Sequence, residues 1–148
     1  MKKISQMLLS SNAGYEITLF RIMVGIIFLA HGAQKLFGVF GGYGIEGTAG
    51  FMESIGLTPG YLMAFLAGAG EFFGGLLLIF GFLTRLAAVT TTIISIVALL
   101  TVHMVNGFFM SNNGSEFILL LLVASISLVI SGSGKLGVDQ LIKNNIGN

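Results

Sequence analysis

The sequence predicts an all-α integral membrane protein, a four-helix bundle with both termini cytoplasmic. Three observations predict it. Hydrophobic residues make up 55% of the 148 residues and charged residues only 9%, against about 25% charged in soluble domains. The apolar residues gather in four runs near membrane length. The Lys and Arg residues outside those runs fall on alternate connections. So few charges cannot cover a water-facing surface, so lipid is the solvent for most of this chain. The runs do not alternate, and an open sheet would leave its edges unsatisfied in lipid, which excludes strands.

The length allows one domain, residues 1–148. With a net charge of only +1, nothing suggests a nucleic-acid partner. There is no cysteine, so disulfides, thiolate catalysis and thiolate metal ligation are all excluded. Redox chemistry would need a bound cofactor, a quinone or a partner. The start, Met1-Lys2-Lys3, is basic, but the apolar run from Met7 to Leu9 is too short for the core of a signal peptide. The first long run is therefore read as a retained helix.

A spanning helix needs about 20 mostly apolar residues. The first candidate runs from Ile17 to Phe37 and contains Arg21, His31 and Lys35. A glycine-rich interfacial loop, 38–60, follows. Its segment Thr48 to Leu57 is predicted as a short helix with Phe51, Met52 and Ile55 dipping into the membrane. The second span, Tyr61 to Phe82, is interrupted only by Glu71. The tight link from Gly81 to Arg85 makes the second and third spans an antiparallel hairpin. The third span, Leu86 to Val105, carries His103 near its end, and the polar stretch Met104 to Ser115 follows. The fourth, Glu116 to Ser131, is shorter and must borrow from its flanks. The tail from Gly132 is polar and leaves the membrane.

Orientation follows from the basic residues. Lys2, Lys3, Arg85, Lys135 and Lys143 lie on one side, and the opposite loops carry Glu46 and Glu53. That side is cytoplasmic in a multi-pass plasma-membrane protein. Tyr15, Tyr43 and Tyr61 fall at the interfaces, where amphipathic rings belong.

An ionisable side chain inside a span costs roughly 3 kcal/mol on insertion scales and usually faces the protein interior. At 100° per residue, Arg21, Gly25, Phe28, Gly32 and Lys35 form one stripe of the first helix, with His31 at its border. Glu71 lies ~15 Å into the second. Thr92, Ser95, Leu99 and His103 share a face of the third, and Glu116, Leu120, Val123 and Ser127 a face of the fourth. His31, Lys35, His103 and Glu116 thus meet at similar outer depth, with Glu71 below them. Two bases, two acids and a cation can bind a polar head group and move protons. A quinone ring fits, because its oxygens need donors and its reduction needs protons. Glu71, His31 and Lys35 are the candidate catalytic residues. His103, Glu116 and Arg21 are the candidate substrate-binding residues.

Each of these residues has a structural alternative. Lys35 can snorkel to the interface. Arg21, like Arg85, can anchor the inner end. Glu116 can cap the fourth helix, His103 can be an interfacial side chain, and Glu71 can pair with Lys35 or Arg21 to fix packing. His31 and His103 could also ligate a haem. Gly70 and Gly74 form a small-residue face that suits close helix packing. No flavin or nucleotide fingerprint is present.

Several motifs carry a resemblance. They are Arg21 with His31-Gly32 and Lys35-Leu36-Phe37, Glu71 with Gly74-Gly75-Leu76-Leu77-Leu78, Gly81 with Thr84-Arg85, Glu116, and Gly134 to Asp139. In this order, from about Ile17 to Ile142, the chain resembles the DoxX family of small four-helix membrane proteins. The resemblance implies a plasma-membrane protein of oxidoreductase type, allied by name to a subunit of an archaeal thiosulfate:quinone oxidoreductase. It also implies links to quinone, catechol and oxidative stress. It assigns no catalytic residue, so the candidate site rests on helix geometry as much as on the resemblance.

Two functions follow. One is a membrane oxidoreductase, or a subunit of one, acting on a quinone or related small aromatic, with electrons from a soluble redox partner or from a substrate that brings its own. The other is a non-catalytic anchor or small transporter, assembled with partners or as a homo-oligomer, for which the Gly70–Gly74 face is a candidate interface.

Overall fold

The structure, a computed structural model, describes residue 11 and residues 13–146. Lys2 and Lys3, two of the orienting cations, lie outside the described residues. Those described form helices and turns with no strand. In order they are α1 (Tyr15–Phe37), α2 (Gly44–Ser54), α3 (Gly60–Phe80), α4 (Thr84–Ala98), α5 (Glu116–Ser131) and α6 (Val138–Ile146). A π-helical turn, Leu99–His103, and a 3-10 turn, Met104–Asn106, continue α4. Among the described residues, three helices are long and apolar enough to cross a membrane: Tyr15–Phe37, Gly60–Phe80 and Thr84–Asn106. At 16 residues, α5 is apolar but shorter.

Glycines set the helix ends and the helix spacing. α1 stops at Gly38 and α3 at Gly81, with φ of 70° and 65°, a left-handed cap that a side chain would strain. Between helices, a Cβ on Gly75 would sit 2.6 Å from the Gly25 carbonyl oxygen, and one on Gly32 2.7 Å from that of Gly68. α1 and α3 therefore run antiparallel with their backbones in near contact. In lipid such close packing, rather than apolar burial, supplies much of the association. Gly70 and Gly74 face α4 in the same chain, against Ile94 and Thr91. That face is used within the molecule.

α4 and α5 run antiparallel, joined by a buried hydrogen bond of 3.0 Å from Thr91 Oγ1 to Ser125 Oγ. Phe28, Leu78, Ala88, Leu121 and Leu128 fill the space between the helices. The predicted stripe on α1 is the buried one, since Arg21, Gly25, Phe28 and Gly32 all lie inside.

Two predicted faces are corrected. On α5, Leu120 and Val123 point outward at 62% and 60% exposed; the inward residues are Ile118, Leu121, Ala124, Ser125 and Leu128. α5 is apolar on every side, so periodicity gave Glu116 undue weight in choosing the face. On α4, Ser95 is inward as expected, but Thr91 rather than Thr92 is the buried threonine. Thr92 instead turns its hydroxyl back onto Ala88 O at 2.7 Å. In the loop, α2 starts at Gly44 rather than Thr48, and its buried side, Thr48, Ala49 and Met52, packs on Ala64 of α3. Met52 thus enters protein rather than lipid, while Phe51 is exposed.

The tail does not simply depart. Residues 132–139 fold back over the end of the molecule where α1 begins. Ser133 and Asp139 are each 1% exposed. The Asp139 carboxylate accepts from the backbone N–H groups of Leu83 and Thr84 at 2.8 and 2.9 Å, which caps the start of α4. Leu83 holds a left-handed φ of 47° there, uncommon for a branched residue. The bonds to Asp139 pin that conformation.

Candidate functional site

The six candidate residues separate into two groups. Arg21 stands alone at the end where α1 begins, 1% exposed. Its guanidinium donates to carbonyl oxygens from two segments: Leu78 and Ile79 of α3, and Ser133 and Leu136 of the tail. The bonds to Ile79, Leu136 and Ser133 measure 2.8, 2.8 and 3.0 Å. A guanidinium has five donors in a rigid fork. Here they reach the last carbonyls of α3, where helical N–H partners run out; Leu78 O also accepts from the Gly81 N–H at 3.1 Å. That engagement leaves Arg21 tying α1, α3 and the tail together, far from the other five residues. Arg85 plays a related part, donating to Val129 O near the end of α5.

The other five lie at the opposite end. Lys35 Nζ meets Glu71 Oε2 at 2.5 Å, the ion pair that joins α1 to α3. Glu71 is 7% exposed and Lys35 is half-buried. Helix geometry explains the meeting. Gly32 and Gly68 let the two backbones close up; the base of Lys35 lies beside Gly68, and its long stem reaches along α3 by about one turn to Glu71. Glu71 is hemmed in by helices and cannot turn to water, whereas Lys35 arrives from the rim with an apolar stem. Removing one partner of a buried pair is costly because the other charge is left alone.

His31 is an exposed side chain on the border of the α1 stripe. Its ring lies 6.5 Å from that of Phe117 on α5, and it stands within electrostatic reach of Lys35 and His103. His103 ends the π turn, and its Nδ1 is 2.9 Å from Asn113 O. A π turn adds a residue to the helical register and is frequent at functional sites. Glu116, one residue before Phe117, accepts from the Met110 N–H at 2.6 Å and so braces the loop between α4 and α5. Lys35 and Glu71 are thus joined directly, His31 lies within electrostatic reach of Lys35 and His103, and Glu116 is in the service of the loop. A groove of about 240 Å3 lined by Phe80, Lys135, Leu136, Gly137, Val138 and Leu141 lies at the Arg21 end and holds none of these residues.

The arrangement brings together a cation, a carboxylate and two imidazoles in a largely apolar setting. Such a set can hold a polar head group and exchange protons with it. Asp139 is the polar residue that sequence reasoning did not single out by role. Its signal was faint: an acid in the first turn of a short helix, within the matched motif Gly134 to Asp139.

Apolar helices around a buried ion pair define a class, a small helical membrane protein with an ionisable interior. The chain belongs to the DoxX family, whose family model matches residues 17–104. It is 40% identical over 133 residues to a Bacillus subtilis protein named "Putative oxidoreductase CatD", covering 88% of this chain and 91% of that one. It is 31% identical over 124 residues to "Inner membrane protein YqjF" of Escherichia coli, covering 82% and 88%. It is 30% identical over 130 residues to "Uncharacterized membrane protein Rv3486" of Mycobacterium tuberculosis, covering 81% and 77%. No solved structure matches the chain significantly. The apolar helices and these relatives make it a membrane protein.

Proposed function

We propose that this chain is a membrane oxidoreductase, or a subunit of one, that acts on a quinone or related small aromatic. In this reading it is a single domain of the plasma membrane that crosses the bilayer four times, with both termini cytoplasmic. Arg85, Lys135 and Lys143 share the inner side. The observation that carries the reading is the Lys35–Glu71 pair, 2.5 Å apart, which joins α1 to α3. The name borne by the Bacillus subtilis relative supports it at the level of class.

The roles follow from the chemistry. Reduction of a quinone to a quinol takes two electrons and two protons. Glu71 and His31 relay the protons. Lys35 stabilises the oxyanion that develops as the ring gains electrons. His103 and Glu116 line the entrance. The electrons come from a soluble redox partner, or from a substrate that carries its own. Exposed Phe37, Phe40, Phe108 and Phe109 surround this end, an apolar approach suited to a lipid-soluble ring.

The test is to purify the protein in mild detergent, record its absorption spectrum and identify any extracted quinone, flavin or haem. A stoichiometric quinone, lost in Glu71→Gln or His31→Ala with helicity unchanged, is the expected result. Normal turnover in Glu71→Gln would sink the role given to that carboxylate.

A second reading, a non-catalytic anchor or small transporter, draws on the same exposed aromatic side chains, which also suit a protein partner. Since Gly70 and Gly74 are taken up by α4, a homo-oligomer would use another face. Crosslinking in native membranes decides: a monomer without partners excludes this reading.

A further inference from the structure

Hydroxyls inside apolar helices normally turn back to a carbonyl one turn earlier. In α4 and α5 this is the rule. Thr90 bonds Leu86 O, Thr92 bonds Ala88 O, Ser127 bonds Val123 O and Ser131 bonds Ser127 O. Thr91 is shared between Ala88 O and Ser125 Oγ. Two hydroxyls of α4 depart from it, those of Thr84 at its first residue and Ser95 at mid-helix: both residues are 0% exposed, and neither hydroxyl has a hydrogen-bond partner among the described residues; of the two, only Ser95 lies near the Lys35–Glu71 pair. A buried hydroxyl without a partner costs about 1–3 kcal/mol, so one that persists calls for a specific use.

Its position names that use. Gly70 abuts Ile94, and Gly74 abuts Thr91, so the antiparallel register of α3 and α4 sets Ser95 at the height of Glu71. Both are buried. Glu71 shares its helix face with Gly74, Gly75 and Leu78, the inward residues of α3. Ser95 shares its face with Ala88 and Thr91, the inward residues of α4. The two side chains therefore face one interior space from two helices, with Phe28 and Leu121 among its apolar neighbours in the core.

We propose that Ser95 is a further binding residue of the Glu71 site: its hydroxyl donates to an oxygen that also reaches Glu71. That oxygen is either a water or the carbonyl of the aromatic ligand. The proposal rests on the reading of Glu71 as the centre of the site. It gives the site a polar wall opposite Lys35, so a ring between them is gripped at both ends.

The experiment is an experimental structure of the full chain in lipid nanodiscs, at a resolution that shows ordered water, with and without menadione as the quinone probe. Menadione affinity is measured alongside for wild type, Ser95→Ala and Ser125→Ala. The expected result is an oxygen within about 3.2 Å of Ser95 Oγ, bonded onward to Glu71. If menadione supplies it, Ser95→Ala weakens binding about five- to tenfold, the usual loss of one hydrogen bond. Ser125→Ala, whose hydroxyl is already engaged, leaves affinity unchanged. If water supplies it, the oxygen is present without menadione and Ser95→Ala removes it with affinity unmoved. No oxygen at Ser95 in either structure overturns the proposal. Should menadione fail to bind at all, the quinone reading falls, and the ligand-free structure still decides for or against Ser95.

Discussion

Arg21 and Glu71 are both buried ionisable residues, yet they are satisfied in different ways. Glu71 meets one cation, whereas Arg21 meets four carbonyl oxygens. Arg21→Met should therefore lower stability by about 3 kcal/mol or more, because several acceptors lose a charged donor at once. Thermal unfolding in detergent measures this, and Arg21→Lys should recover only part of the loss, since an ammonium cannot spread over four acceptors. A variant as stable as wild type would remove Arg21 from the framework. Asp139→Asn should cost about 1 kcal/mol, the usual price of a weakened helix cap, with the same assay as the check. Glu71 could be read from sequence because a mid-helix carboxylate cannot snorkel. The partners of Arg21 could not, because backbone carbonyls carry no side-chain signature.

At the scale of elements, the glycines make a graded prediction. A methyl on Gly75 would press on the backbone of α1, at the Gly25 carbonyl and Leu29 Cα. One on Gly70 meets the mobile end of Ile94, 2.6 Å away. Gly75→Ala should thus destabilise by roughly 1–3 kcal/mol and Gly70→Ala by less, in chemical or thermal unfolding. Equal effects would show that α1 and α3 can part without penalty. The helices themselves were legible, since length and hydropathy are enough to find them. The inward faces of α4 and α5 were less so. α5 is apolar all round and offers periodicity no contrast, and in α4 five hydroxyls follow closely enough that spacing alone could not say which one turns inward. The π turn before His103 likewise has no composition that announces it.

For the whole molecule, the distribution of cations predicts topology. The chain has no cysteine, so single cysteines introduced at exposed positions report their side without background. Ser54→Cys and Asn112→Cys should react with a membrane-impermeant maleimide in intact cells, and Asn144→Cys only after permeabilisation. Reaction of all three in intact cells would refute four crossings with inner termini. The all-helical membrane class was available to a sequence reader because lipid allows few solutions. The closure of the tail over the end where α1 begins was not, since it depends on contacts between distant residues, such as that from Arg21 to Ser133, 112 residues apart.

That closure bears on biogenesis. Arg21 leaves the ribosome well before its partners Leu78, Ser133 and Leu136. Until they arrive, the guanidinium has to be kept by water and lipid phosphates at the membrane surface. α1 is therefore expected to enter the bilayer in a provisional register and to settle once Ser133 and Leu136 have been made. Shortening the chain at Ser131 should leave a protein that inserts at the normal rate but is cleared by membrane proteases, which a pulse-chase would detect as unchanged synthesis with a shortened lifetime.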